Sequence, residues 1–312
     1  MSPRSRVSVV MPSLNQGEFI RTAIDSVLDQ DYSPIELIVI DGRSTDGTVD
    51  ILREYDDRLR WVSESDGGQT PAINKGFRMA AGEIIGWLNA DDLYLPGAVR
   101  TAVEFLIRRE SADLVYGDAD HIDRDGRFIA PYPTEPFSLS RLQQTCFICQ
   151  PAVFFRRRVF DRVGMLDEYF SSAMDYEYWV RIARRGEIAY CPVRLAQSRL
   201  HRGAKTVRLR LEHQRLAVEV VRRHFGEIPA SWLCAYANAL VEPWVPRRTR
   251  WQRACFVAAV SLVAVFESGR LNHGLPHGVV RQWGVWLTRK LRGKAGAAPQ
   301  ILLDSHRHPD DR

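Results

Sequence analysis

Two adjacent carboxylates, Asp91 and Asp92, interrupt the segment "GEIIGWLNADDLYLPGA" where an apolar run ends. Like charges side by side repel, so the pair needs a partner. A hard divalent cation, Mg2+ or Mn2+, takes oxygen ligands, commonly one or two carboxylates plus substrate phosphates. The alternative is a solvated turn that caps a helix starting at Pro96. Asp41 ends a second apolar run, "IELIVID", and leads into "GRSTDGT". A carboxylate placed there can accept from a base imide or a ribose hydroxyl, and Gly42 and Gly47 let backbone come close to a ligand. A plain strand-to-helix turn, with Asp46 near the helix start, is the other reading. "SDGGQTPAINKG" repeats the theme: Gly67-Gly68 permits unusual dihedrals, and Lys75 supplies a cation about one helical turn past Pro71.

These residues need a frame that brings them together. "VSVVMPS", "IELIVID", "LRWVSE" and "EIIGWLN" read as buried strands. Helical spacing runs through "EFIRTAIDSVLDQ", "STDGTVDILREY", "TPAINKGFRMAAG" and "PGAVRTAVEFLIRR", the second with capping residues at its start. Strict alternation of strand and helix predicts an α/β fold with a mostly parallel sheet wrapped by helices. Ligands bind such sheets beyond the carboxyl ends of the strands. Pro12-Ser13, Asp41, Glu64 to Gly68 and Asn89 to Asp92 all fall there. Four loops on one rim predict a nucleotide-sized crevice.

After Arg109 the pattern changes. "LVYGDADHID" and "RFIAPYP" read as strands joined by a turn at Asp125-Gly126. "AMDYEYWVRIARRGE" reads as a helix, "IAYCPVRLAQSRLH" as strand and loop, and "TVRLRLEHQRLAVEVVRRHFG" as one amphipathic helix. From Ser231 onward further helices rich in Trp and Arg are expected.

The chain has 312 residues, 45% hydrophobic and 26% charged, which is ordinary for a globular protein. No run of 18 consecutive apolar residues occurs, and the N-terminal apolar run is too short for a signal peptide, so a cytoplasmic protein is expected. Five cysteines, only Cys146 and Cys149 closely spaced, predict free thiols rather than a zinc site or a disulfide framework. Charge is uneven. From Trp244 onward twelve Lys/Arg face four Asp/Glu, a net of +8 against +5 for the whole chain. That tail suits an anionic partner such as a membrane surface at its inner face. No nucleic-acid-binding motif accompanies the charge. "CFVAAVSLVAVF", from Cys255 to Phe266, is too short to span a bilayer and reads as a core helix or one lying on a membrane face.

Taken together, "VSVVMPSLNQGEFIRTAIDSVLDQDYSPIELIVIDGRSTDGTVDIL", "DGGQTPAINKG", "GEIIGWLNADD", "QPAVFFRR" and "AMDYEYWVRIA" resemble family 2 glycosyltransferases, which have the GT-A fold. The resemblance covers about residues 6 to 206. It implies a GT-A domain over 1–206; beyond it the sequence pattern itself predicts a C-terminal helical extension over 207–300 and a disordered tail over 301–312. The resemblance also implies roles. Pro12 and Ser13 line the nucleotide pocket, joined by Asn15, Asp66 and Gly67. Asp41 contacts the base, most often uracil. Asp91 and Asp92 stand at the acidic motif that holds ribose and the divalent metal, with Asn89 replacing the first acid of the common pattern. An Arg that often meets the diphosphate is Ile73 here, leaving Lys75 as the nearest cation. Asp175 matches the late acidic position, a general base that deprotonates the acceptor hydroxyl; a helix cap is its plainer reading. His201 and Lys205 in "RLHRGAKT" would reach the metal or diphosphate; a solvated basic loop is theirs.

The resemblance therefore implies a metal-dependent, inverting glycosyltransferase that moves a sugar from a nucleotide-diphosphate donor, a UDP-sugar first. Its acceptor would be a glycan or lipid-linked hydroxyl in cell-surface polysaccharide assembly. A nucleotidyltransferase would want Gly and Arg/Lys directly after the first strand, and "PSLNQGEF" lacks the cations. A non-catalytic nucleotide-sugar binding protein would keep the donor-side acids and lose Asp175.

Overall fold

A computed structural model describes residues 5–201 and 203–274. The expected tail, 301–312, and the last part of the expected extension lie outside the described residues. The chain divides into two compact units: Met1–Phe137 with Phe147–His201, and Ser138–Cys146 with Arg202–Arg312. The boundary expected after residue 206 thus falls at 201/202, and a short piece expected inside the first domain belongs to the second unit.

The first unit opens with four strand–helix repeats: β1 (Val7–Ser13), α1 (Ile20–Leu28), β2 (Ile35–Asp41), α2 (Thr48–Arg53), β3 (Arg60–Ser63), α3 (Gln69–Met79) and β4 (Ile84–Trp87), then β5 (Leu93–Tyr94) and α4 (Ala98–Arg108). β6 (Ala112–Ile122) and β7 (Phe128–Pro131) form the hairpin. Next in the chain come α5 (Leu139–Gln144), which belongs to the second unit, and then β8 (Val153–Arg156), α6 (Val159–Val163), α7 (Met174–Arg185) and β9 (Glu187–Arg199). The sheet order is β3-β2-β1-β4-β8-β6-β9-β5, with β7 on β6. β3, β2, β1 and β4 are parallel, and β8 enters antiparallel between β4 and β6. The α/β expectation holds. β1 is buried at every position, as a central strand covered on both faces must be.

Register sets the rim. Ser13 pairs with Asp41, and Asp41 with Ser63, so three polar side chains stand level at the strand ends. Val10 pairs with Trp87, and Leu88 N–H donates to Val10 carbonyl at 3.0 Å, which brings Asn89 to Asp92 to the same rim. On the far side, β9 pairs with β6 as far as Ile122↔Arg199 and with β5 at Leu93↔Gln197. Its end therefore arrives beside the loop between β4 and β5. A core of Val7, Val9, Met11, Ile24, Val39, Leu88 and Val99, among others, packs α1 and α4 onto the sheet.

Two helix boundaries differ from expectation for local reasons. α2 starts at Thr48, not Ser44, because Ser44 is held by the Asp41 carboxylate while Asp46 Oδ1 takes Thr48 N–H at 3.1 Å. The single amphipathic helix expected from Thr206 is two, α8 (Lys205–Arg208) and α9 (Arg210–Phe225), broken at Leu209. In the second unit α10 (Ala230–Val241) and α11 (Arg250–Asn272) pack together through Ala237, Val241, Phe256, Val260 and Ala264. α11 is 23 residues, longer than its twelve-residue apolar stretch. It begins with a capping box between Thr249 and Gln252. None of the five cysteines, all among the described residues, is in a disulfide, and Cys149 and Cys191 are buried.

Candidate active site

The adjacent acids at the end of β4 have separate environments. Asp92 is buried, 5% exposed. Its Oδ1 accepts from Arg199 N–H at 2.8 Å and its Oδ2 from Asn89 Nδ2 at 3.2 Å. Burial first, and the Asp91 charge second, push its carboxyl up to about 8. Both of its oxygens thus accept hydrogen bonds within the protein. Asp91 faces outward more. Its Oδ2 meets His201 Nε2 at 2.9 Å, with the side chains 18% and 11% exposed.

A buried guanidinium builds this corner. Arg199, 7% exposed, donates through Nε to Asp91 carbonyl at 2.9 Å and through one terminal nitrogen to Asp123 and Arg124 carbonyls at 3.0 and 2.9 Å. Its other side stacks over Phe19, 5.1 Å from the ring centroid. His201 rests on the same ring, centroids 4.9 Å apart. Arg199 and Phe19 escaped sequence reasoning. The only signal was Arg199 two residues before His201 at the end of a strand.

Asn89, in place of an acid, is an amide junction. Its Oδ1 accepts from Gln69 Nε2 at 3.1 Å and Trp87 Nε1 at 3.3 Å, and its Nδ2 donates to Gln150 Oε1 at 2.8 Å as well as to Asp92. Gln150, the first residue of "QPAVFFRR", returns a bond to Trp87 carbonyl at 2.5 Å.

Asp41, the expected base contact, stands at the strand-end rim level with Ser13 and Ser63. It is fully buried, and its oxygens take Ser44 N–H at 2.9 Å, Ser44 Oγ at 2.5 Å and Ser63 Oγ at 2.7 Å. A carboxylate removed from water must be satisfied in this way, so Asp41 closes the β2–α2 turn. Pro12 is buried within β1. Ser13 Oγ is buried at the end of β1 and has no hydrogen-bond partner among the described residues. Asn15 sits at φ 52°, a left-handed position that Asn tolerates, and its Oδ1 takes Thr45 N–H at 2.9 Å. Asp66 Oδ1 caps Gly68 N–H at 2.8 Å across the exposed Gly67. A methyl at Gly42 would lie 3.0 Å from Asp66 Oδ2, so glycine there lets the second and third loops close up. Lys75 is ion-paired with Glu64, and Ile73 is core. The rim thus gathers Ser13, Asn15, Asp66 and Gly67 on one side and Asp91 with His201 on the other.

Asp175 is a half-buried residue in the first turn of α7, whose N-cap is Ala173 at φ 57°. It is not the cap. No hydrogen bond or ion pair engages its carboxylate among the described residues. Glu177, two positions on, is buried and held by Arg181 at 2.7 Å. The loop into α7 is held from α3: Asn74 exchanges bonds of 3.0 Å with Leu166 N–H and carbonyl, and Thr70 Oγ1 donates to Phe170 carbonyl at 2.7 Å. Lys205 belongs to the second unit, and burial lowers its pKa.

Among the described residues no three His, Cys, Asp or Glu side chains gather into a metal cage. A carboxylate oxygen and an imidazole nitrogen side by side suit a divalent ion completed by substrate oxygens. Asp91 and His201 place such a pair 2.9 Å apart, while both oxygens of Asp92, the other expected ligand, accept hydrogen bonds within the protein.

A family model described as "Glycosyl transferase family 2" matches residues 8–164. An uncharacterized glycosyltransferase of Rickettsia felis is 30% identical over 218 residues, 64% of this chain and 35% of its own length. The chain thus spans about a third of that relative. Among solved structures, S. aureus TarS 1–349 in complex with UDP-GlcNAc aligns with a TM-score of 0.60 at 18% identity, covering 92% of each chain. The mannosyltransferase PcManGT from Pyrobaculum calidifontis, in complex with GDP-Man and Mn2+, aligns at 0.57 and 19% identity over 94% of this chain and 89% of its own. The fold is that of GT-A glycosyltransferases. With strand-end loops built as described and a family match over half of its length, the chain belongs to glycosyl transferase family 2.

Proposed function

We propose that the protein transfers a sugar from a nucleotide-diphosphate sugar, with a UDP-sugar as first choice, to a hydroxyl of a glycan or lipid-linked acceptor, with inversion. One observation carries this reading: Asp91 and His201 meet at 2.9 Å at the strand-end rim although 110 residues separate them in sequence. The complexes of the two structural neighbours, with UDP-GlcNAc and with GDP-Man and Mn2+, support the same donor class.

Asp91 and His201 would hold the divalent ion, which when bound neutralises charge on the departing diphosphate. The chain's own residues supply the rest. Ser13 Oγ, lacking a partner, offers a hydrogen bond to the nucleoside, and Asn15, Asp66 and Gly67 border the same crevice. Asp175 takes the proton from the acceptor hydroxyl. The acceptor oxygen forms its bond to the anomeric carbon as the bond from that carbon to the diphosphate breaks, and the electron pair leaves with the nucleoside diphosphate. A single displacement of this kind inverts the anomeric centre. Glu177 does not serve as a second base, because Arg181 fixes it.

Nucleoside diphosphate release from a panel of nucleotide sugars with Mn2+ tests the reading. Asp175→Asn should lower turnover about 10²–10⁴-fold and leave nucleotide binding near the parent value. Loss of nucleotide binding in that variant would make Asp175 a donor ligand or a structural group, and release from no nucleotide sugar would sink the transferase reading.

A further inference from the structure

α11 shows an apolar face to solvent from Trp251 to Phe266. Trp251, Ala254, Ala258, Leu262, Val265 and Phe266 recur at three- and four-residue intervals and form one stripe of a helix. Trp251 is 77% exposed, Leu262 72% and Phe266 69%. Trp244, just ahead of the helix, is 84% exposed. The opposite stripe, Phe256, Val260 and Ala264, is already covered by α10. Between Arg253 and Glu267 the helix has no charged residue. Its start is cationic, with Arg248, Arg250 and Arg253 all exposed, and at its end Glu267 is paired with Arg270.

We propose that this stripe docks α11 flat on an anionic lipid bilayer, with Leu262, Val265 and Phe266 below the headgroups and Trp251 and the arginines among them. Charge complementarity selects the partner. From Trp244 onward twelve Lys/Arg stand against four Asp/Glu, so a second copy of this segment would meet its own charge, whereas acidic headgroups relieve it. Arginine and tryptophan flanking an uncharged apolar stripe are the composition of an interfacial helix. By length and composition α11 could also cross a bilayer. Its packing against α10 through Phe256, Val260 and Ala264 favours the flat pose.

Flotation of the full chain with vesicles tests this without requiring turnover, so its result stands apart from the proposed transfer reaction. Vesicles of phosphatidylcholine alone are compared with vesicles containing about a third phosphatidylglycerol. Recovery should rise with the anionic lipid and fall with salt, and alkaline carbonate should release the protein. Leu262→Glu with Phe266→Glu should lower recovery about tenfold or more, with the unfolding midpoint unchanged because both positions already face water. If that variant fails to fold, Arg248→Gln with Arg250→Gln and Arg253→Gln decides, by a shallower dependence on anionic lipid. Equal recovery from both vesicles, or from neither, overturns the proposal. So does retention through carbonate, which means a spanning helix. So does a double variant that floats like the parent while losing a dimer in sedimentation, which assigns the stripe to a second copy.

Discussion

Replacing Arg199 with methionine removes its guanidinium donors from the corner that holds Asp91 while keeping an unbranched apolar stem. Three carbonyl oxygens, of Asp91, Asp123 and Arg124, lose a charged partner at 2.9 to 3.0 Å. Hydrogen bonds to charged groups contribute about 1.5–3 kcal/mol each, so the gross loss is about 5–9 kcal/mol. Two terms reduce it. Arg124 is exposed and Asp123 half-buried, so water replaces the donor at that turn. The guanidinium, 7% exposed, also no longer has to be desolvated, a relief of several kcal/mol. The net destabilisation should be about 2–4 kcal/mol, a fall in Tm of about 5–15 °C for a unit of this size. Asp91 also loses its main-chain anchor, and the stack of Arg199 on Phe19 that flanks His201 is thinned. Outer partners of metal ligands typically change affinity by about 10–100-fold, so Mn2+ should bind at least about tenfold more weakly. Circular dichroism follows the melt, and the free Mn2+ resonance follows binding without substrate. Arg199→Lys, with a compact ammonium in place of a planar fork, should fall between parent and methionine. A methionine variant that melts within about 2 °C of the parent and binds Mn2+ equally well would refute the reasoning.

Other substitutions separate the remaining roles. Asp91→Asn and His201→Gln should each weaken Mn2+ binding at least about tenfold, while Asp92→Asn should have a clearly smaller effect; the reverse ranking returns the metal to Asp92. Asn74→Ala removes three bonds of 3.0 Å in a buried site and strands Leu166 N–H and carbonyl, so urea unfolding should show a loss of about 2–4 kcal/mol; an unchanged midpoint would mean water fills the gap. His121 is 8% exposed, and burial lowers its pKa below 6.5. Above 6.5 both folded and unfolded chains are neutral there. As pH falls below 6.5 the unfolded chain binds a proton that the folded chain resists, so stability drops, by at most about 1.4 kcal/mol per pH unit. His121→Gln should flatten that part of the stability curve, and an identical slope in the variant would place the titration elsewhere.

Much of the frame was legible because it depends on local pattern. Continuous apolar runs gave β1 and β2 to the residue, since a central parallel strand has no polar face to hide the signal. Asp91 and His201 were legible as polar residues at strand ends, though not as neighbours, because contact between β9 and the β4–β5 loop is a matter of sheet order. The hydrogen bonds of Asp41 were hidden for the same reason. Its type and position suit a ligand contact, and only Ser44 and Ser63, the latter from another strand, reveal that its oxygens are already engaged. Arg199 gave little signal beyond its place two residues before His201, because a buried arginine is justified by carbonyls that carry no sequence identity. α8 and α9 read as one helix since their apolar spacing continues through the break at Leu209.

The position of β8 has a consequence for synthesis of the chain. β4 is flanked by β1 and β8, but β8 lies 66 residues further along than the last residue of β4. On the ribosome, at about 5–20 residues per second, the four parallel strands can assemble while β4 remains a bare edge for several seconds. That edge carries Ile84, Ile85 and Trp87, an apolar template without a lysine or proline to discourage pairing with another nascent chain. β6 emerges before β8 and has to leave a strand-wide gap for it. A truncation ending before Val153 should therefore form aggregates, and chaperones that shield apolar edges should raise the yield of the complete chain more than that of a fragment reaching only to Met79, which never presents β4.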